Sequence, residues 1–206
     1  MRNILQVIPK MVWKGKVIMI CFFLLAACIP HDESLVPMDH HEDLLSENLV
    51  QRSEVSRSNK RTFTAHLSGA NEVPPVDLNG QGQVIFKLSK DGTELHYKLI
   101  VANIENVTQA HIHCGNAGVN GPVVVFLFGF QAGGVTENGV LKEGVITSAN
   151  IIARGSSAAC MGGLATFANL LDKMRNGSAY VNVHTVAFPF GEIRGQITDL
   201  HLVFLP

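Results

Sequence analysis

The chain has 206 residues, of which 47% are hydrophobic and 16% are charged, and its formal net charge is −1. No acidic residue precedes position 28, so the rest of the chain carries 12 Lys and Arg against 17 Asp and Glu, a formal net charge of −5. This acidic balance argues against nucleic acid or an anionic surface as the natural partner, since both repel a negatively charged protein.

The first 27 residues have the layout of a secretory signal peptide. Arg2, Lys10, Lys14 and Lys16 form a basic region, and residues 17–25 form a short apolar run that small residues follow. That run is shorter than the roughly 20 apolar residues that a membrane-spanning helix needs. We therefore predict that the chain is exported and that residues 1–27 are removed.

The end of this segment, Leu25-Ala26-Ala27-Cys28, resembles the lipobox of bacterial lipoproteins. In that motif the cysteine becomes the lipidated first residue of the mature protein, so the resemblance implies a membrane anchor at Cys28. The absence of aspartate at position 29 favours the outer membrane or cell surface over retention in the inner membrane. An ordinary cleavage site that happens to precede a cysteine is the alternative.

Residues 28–60 are polar and of mixed charge, with scattered Leu and Val and no sustained alternation. A segment of this composition does not bury enough apolar surface to fold alone. We predict a flexible tether that holds the following domain away from the membrane.

From residue 61 onward, short alternating runs are separated by Gly, Asn and Asp. In TFTAHLSG, for example, Phe63, Ala65 and Leu67 share one face, and KDGT at 90–93 is a strong hairpin signal. About eight such runs predict an all-β domain over 61–206, a Greek-key β-sandwich with a single core.

One segment departs from this alternation. In LATFANLLDKMRNG, the apolar residues recur at helical spacing, and Gly177 stands where a helix commonly ends. The pattern predicts one short helix near 164–176, whose apolar stripe packs against the sandwich.

Three blocks of the sequence resemble the signature blocks of the CHRD domain, a family named after chordin and widespread in bacterial secreted proteins. They are LSGANEVPPV at 67–76, AHIHCGNAGVNGPVVVFLF at 110–128 and AYVNVHTVAFPFGEIRGQI at 179–197. The resemblance covers essentially all of 61–200. It implies a β-sandwich similar to the fold of copper/zinc superoxide dismutase, and it implies no particular activity.

Strand alternation sorts the polar residues of these blocks onto one face. His111 and His113 lie opposite Ile112 in AHIHC, and Asn182 and His184 lie opposite the valines of YVNVHT. The last block, GEIRGQI, adds polar residues in the same way, with Ile193 and Ile197 inward and Glu192, Arg194 and Gln196 facing away. If the three strands are neighbours, the histidines, Asn182, Glu192 and Arg194 converge.

This polar cluster has three interpretations. It is a copper or zinc site with His111, His113 and His184 as ligands, a hydrogen-bonded structural network, or a pocket for an organic ligand. The HIH motif resembles the copper ligands of superoxide dismutases, but no glycine-rich zinc loop and no bridging histidine is recognisable, which argues against dismutation. Within the cluster, Glu192 and Arg194 are expected to form an ion pair along one strand.

Two cysteines remain in the mature domain once Cys21 has left with the signal and Cys28 is lipidated. An even pair in an exported domain predicts a disulfide between Cys114 and Cys160. A redox-active pair is the alternative, although no Cys-x-x-Cys motif is present.

Two hypotheses of function follow. The first is a membrane-anchored, non-enzymatic module of the cell envelope that binds a protein or glycan partner. The second is a protein that holds copper or zinc at the three histidines, with the potential for redox activity. No nucleophilic triad and no nucleotide-binding motif stands out.

Overall fold

The computed structural model describes residues 49–50 and 61–199. The predicted signal peptide, the predicted lipidation site Cys28 and nearly all of the predicted tether therefore lie outside the described residues. No helix among the described residues is long and apolar enough to cross a membrane.

Residues 61–199 form nine strands, one α-helix and two short 3₁₀ turns at Gly69–Asn71 and Ser148–Asn150. The strands are β1 (Thr62–Ser68), β2 (Gln81–Leu88), β3 (Leu95–Ala102), β4 (Val107–Cys114), β5 (Val123–Phe128), β6 (Gly139–Ile146), β7 (Ala179–Thr185), β8 (Ile193–Gln196) and β9 (Thr198–Asp199). The helix α1 spans Phe167–Arg175 and lies between β6 and β7 in the chain.

All strand pairs are antiparallel, and the strands follow the order β5-β4-β7-β8-β1-β2-β3-β6, with the short β9 beside β1. The two strands at the ends of this order, β5 and β6, lie against each other. The result is a nearly closed antiparallel barrel or sandwich, which confirms the predicted fold class.

The core lies inside this barrel and follows the predicted alternation. Phe63, Ala65 and Leu67 of β1 are all buried, and Ile193 and Ile197 are completely so. The predicted strand GEIRGQIT is divided at Ile197 into β8 and β9, which is why nine strands form rather than eight. The predicted hairpin joins β2 to β3, and Gly92 adopts a positive φ of 76° in its turn.

The helix is shorter than predicted at its start. The side chain of Thr166 accepts a hydrogen bond from the backbone N–H of Asn169 and caps the helix, so α1 begins at Phe167. Leu164 belongs to the apolar stripe but is buried in a β-bridge with Arg154. At the other end, Gly177 has a φ of 67° directly after the C-cap residue Asn176, as expected for a helix terminator.

Candidate metal centre

Two neighbouring strands bring the histidines together. In the pairing of β4 with β7, His111 lies opposite Asn182, and Gln109 lies opposite His184. Side chains at opposed and diagonal positions of neighbouring strands share one face, so His111, His113 and His184 all point away from the core. The intervening Ile112 points inward and is completely buried.

The three imidazoles form a cluster. Nδ1 of His111 lies 3.1 Å from Nε2 of His184, and one ring nitrogen from each of the three residues lies within 4.8 Å of the other two. The ring centroid of His111 is 4.8 Å from that of His184 and 5.6 Å from that of His113. The predicted clustering of the three histidines is therefore confirmed.

The cluster is closed off from solvent although it lies outside the core. Only 3% of His111, 9% of His113 and 7% of His184 is exposed. The ring of Phe126 on β5 packs edge-on against His111 at 4.5 Å, and the ring of Tyr180 on β7 stacks on His113 at 4.8 Å. The polar face of these strands is thus a second buried layer, and the alternation pattern alone did not predict that burial.

Backbone carbonyls fix the tautomers of two of the histidines. Nδ1 of His113 lies 2.9 Å from the carbonyl oxygen of Gly121, and Nδ1 of His184 lies 2.9 Å from that of Pro189. Because a carbonyl oxygen only accepts, both Nδ1 atoms carry the proton and both Nε2 atoms present a lone pair. Metal-binding histidines are oriented in this way by hydrogen bonds from the nitrogen that does not ligate.

His111 adds a second unused lone pair to that of His113. Since Nε2 of His184 is an acceptor, Nδ1 of His111 donates to it, which leaves a lone pair on Nε2 of His111. The Nε2 atoms of His111 and His113 are buried and have no hydrogen-bond partner among the described residues. Buried polar atoms rarely lack a hydrogen-bond partner. Two such acceptors in one cluster therefore indicate a site for a metal ion or for a hydrogen-bond donor.

The surroundings keep the imidazoles neutral. Burial and, to a smaller extent, the neighbouring His184 and His113 together lower the pKa of His111 to about 3. Burial likewise lowers the pKa of His113 to about 4 against a hydrogen bond to Gly121 that acts the other way, and it lowers the pKa of His184. A neutral imidazole is the form that ligates metals.

Asn182 joins the cluster to a buried carboxyl group that the sequence did not single out. Its Nδ2 atom donates to Oε1 of Glu72 at 2.5 Å, and burial raises the pKa of Glu72 to about 7 against the charge of Arg194. A side chain at Gly191 would collide with both Asn182 and Glu72, so this approach requires glycine. Glu72 lies in the first CHRD-like block. The sequence pattern does not show which distant segments are neighbours in the fold, so the contact of Glu72 with Asn182 was not predicted.

Arg194 lies in the same layer but not in the predicted ion pair. Its guanidinium group stacks 3.4 Å above the ring of Tyr180 and donates to Oδ1 of Asn120 and to the carbonyl oxygen of Val119. The carboxylate of Glu192 accepts instead from the hydroxyl group of Thr185 at 2.7 Å. The expected pairing of Glu192 with Arg194 is wrong, because loop carbonyls surround the guanidinium and a threonine satisfies the carboxylate.

The disulfide prediction is confirmed. Cys114 and Cys160 are bonded, with their Cα atoms 5.3 Å apart, and both residues are buried. Cys114 directly follows His113 at the end of β4. The bond therefore ties the histidine-bearing strand to the loop that precedes α1.

These features define an antiparallel β-barrel with a buried three-histidine cluster outside its core and a disulfide beside it. Residues 63–197 match the CHRD domain family. The chain belongs to that family. Neither a curated protein nor a solved structure matches it.

Proposed function

We propose that the protein is an exported, lipid-anchored, non-enzymatic module of the cell envelope that holds a copper or zinc ion at His111, His113 and His184. The observation that carries the metal site is the meeting of three buried imidazoles, one ring nitrogen of each lying within 4.8 Å of the other two, beside an Nε2 atom of His113 that has no hydrogen-bond partner among the described residues. Neutral imidazoles are ordinary ligands for both metals.

One distance within the cluster already fits a shared ion. Two nitrogens bound to one zinc ion at about 2.0–2.1 Å and at a tetrahedral angle lie about 3.3 Å apart. Nδ1 of His111 and Nε2 of His184 are already 3.1 Å apart. Ligation through Nδ1 of His111 requires that its proton move to Nε2, which leaves the ring neutral.

A binding role is favoured over catalysis. The zinc loop and the bridging histidine of superoxide dismutases have no counterpart in the sequence, and the three imidazoles are almost completely buried. A substrate therefore has little access to an ion held between them.

The anchoring part of the proposal is supported by the sequence from Leu25 to Cys28. An acylated Cys28 makes the membrane the first partner of the protein, and residues 28–60 then act as the tether. The expected location is the outer membrane or the cell surface.

A second candidate function is the binding of a protein or glycan partner. The side chain of Phe190 is 95% exposed, and the loop that carries it borders a groove beside Pro74 and Leu78. Exposed apolar residues grouped in this way are typical of interaction surfaces.

Elemental analysis tests the metal site. The metal-free protein is exposed to copper or zinc, freed of excess ion and analysed, together with a His111→Ala/His113→Ala variant and a His66→Ala/His96→Ala control. We expect close to one ion per chain in the wild type and the control, and a loss in the cluster variant. Equal metal content in all three proteins contradicts the site.

Replacement of the anchor cysteine tests the location. We expect that Cys28→Ser abolishes incorporation of labelled fatty acid and releases the protein from the membrane fraction. Unchanged labelling in the variant contradicts lipidation at this residue.

A further inference from the structure

The donor set of the histidine cluster carries no negative charge. His111, His113 and His184 are the only His, Cys, Asp or Glu side chains that meet at this point among the described residues. The two buried carboxyl groups among the described residues are hydrogen-bonded to other side chains, Glu72 to Asn182 and Glu192 to Thr185. An ion held by the cluster therefore keeps its full charge.

The neighbourhood of the cluster is positive rather than negative. The guanidinium of Arg194 lies over one side of the Tyr180 ring, and His113 is stacked with Tyr180 at an interplanar angle of 11°. Arg194 is 2% exposed, so water screens its charge poorly. The cost of transferring an ion out of water rises with the square of its charge, and repulsion by a neighbouring cation rises in proportion to it. Both effects act against a divalent ion.

The number of available ligands also disfavours a divalent ion. Zinc is four-coordinate and takes a water molecule as its fourth ligand where only three histidines hold it, and divalent copper favours a tetragonal set of nitrogen and oxygen donors. The described residues supply three nitrogens, and a buried cluster offers little room for water as a fourth ligand. Monovalent copper has a filled d shell and is stable with two or three ligands.

We infer that the His111, His113 and His184 cluster selects monovalent copper, Cu⁺, over divalent zinc and divalent copper. This inference rests on the proposed metal-binding function and specifies its ligand. It assigns to the protein the task of holding reduced copper in the envelope.

Competition titrations test the selectivity. Metal-free protein is titrated without oxygen with Cu⁺ in the presence of bicinchoninate, and separately with Zn²⁺ and Cu²⁺ against coloured chelators of known affinity. We expect one Cu⁺ per chain, bound more tightly than either Zn²⁺ or Cu²⁺. X-ray absorption of the Cu⁺ form is expected to show three nitrogen ligands.

Matched variants connect the binding to the cluster. His113→Ala is expected to weaken Cu⁺ binding about 100-fold, whereas His96→Ala on the surface leaves it unchanged. His111→Gln, which keeps more of the side-chain volume, replaces His113→Ala if circular dichroism shows that the alanine variant is unfolded. Equal Cu⁺ affinity in the wild type and a folded cluster variant overturns the assignment to these residues.

The outcomes separate this inference from the function on which it rests. Stoichiometric zinc or divalent copper bound as tightly as Cu⁺, or more tightly, overturns the selectivity and leaves the metal site standing. Failure of all three ions to bind overturns both.

Discussion

The barrel has two outer faces that differ in how deeply their side chains are buried. The covered face is the outer face of β4, β7 and β8, and the open face is the outer face of β2, β3 and β6. Every residue of β7 is buried, so the side chains on both faces of this strand are covered. In β3, buried and accessible residues alternate. The open face therefore has the pattern of an ordinary amphipathic sheet, and the covered face does not.

Loops that cover one face cause this difference in burial. The segment after β4 and the segment after β7 fold back over the covered face, and the carbonyl oxygens of Gly121 and Pro189 in those loops bind the histidines. On the open face, Lys98 forms an exposed ion pair with Glu143, and Nε2 of the exposed His96 lies 3.3 Å from a carboxylate oxygen of Glu94. Similar polar residues thus become a buried network on one face and remain solvated on the other. Substitutions on the covered face are expected to have far larger effects.

The largest difference is expected from the disulfide beside the covered face. Cys114 and Cys160 are 46 residues apart, and loop entropy gives a stabilisation of about 4 kcal/mol for a loop of this length. We expect Cys114→Ala/Cys160→Ala to lower the free energy of unfolding by about that amount in urea titrations. A variant as stable as the wild type under oxidising conditions contradicts this expectation.

The next largest difference in stability is expected between two variants that each lose a cation, Arg194→Met on the covered face and Lys98→Met on the open face. Arg194→Met removes a guanidinium whose loss leaves Asn120 and loop carbonyls unpaired, and we expect it to cost about 3 kcal/mol. Lys98→Met removes a cation that lies 2.5 Å from Glu143 on the open face, where both side chains are about half exposed. Such pairs contribute about 0–1 kcal/mol. Similar losses in the two variants would remove the distinction between the faces.

A comparison of two histidines follows. His184→Ala removes the acceptor of His111 and the donor to Pro189, and we expect a loss of about 2 kcal/mol in the metal-free protein. His96→Ala on the open face is expected to cost less than about 0.5 kcal/mol. Thermal melts with and without copper or zinc extend the test, because a metal-induced rise in Tm is expected in the wild type and in His96→Ala but not in His184→Ala.

The sequence predicted the open face and the core better than the covered face. Alternation placed Phe63, Ala65 and Leu67 inside, and it placed the three histidines on one face, because a strand alternates whatever covers it. Alternation carries no information on the loops that close over a face. For that reason the burial of the cluster, the contact with Glu72 and the position of Arg194 above Tyr180 were missed, and the pairing of Arg194 with Glu192 was predicted wrongly.

A dependence on pH is also expected, and it arises from opposing groups on the covered face. The pKa of His111 is lowered to about 3 and that of His113 to about 4, so the unfolded chain binds more protons than the folded one below about pH 6.5. Their contribution is fully present above pH 6.5 and is lost as the pH falls to about 4 for His113 and to about 3 for His111. The pKa of Glu72 is raised to about 7, so its contribution has the opposite sign and is lost as the pH rises from 4.5 to 7.

Between pH 5 and 6.5, these contributions partly cancel, since each group changes the free energy of unfolding by about 1.4 kcal/mol per pH unit. Glu72→Gln keeps a hydrogen-bond acceptor for Asn182 but removes the opposing titration. We expect the metal-free variant to lose stability on acidification more steeply than the wild type, by about 1.4 kcal/mol per pH unit, in urea titrations at constant ionic strength. Glu143→Gln is the control for removal of a carboxylate from the open face. If Glu72→Gln and Glu143→Gln give the same slope as the wild type, Glu72 does not take up its proton within the folded protein, and the coupling of this carboxyl group to the buried layer is wrong.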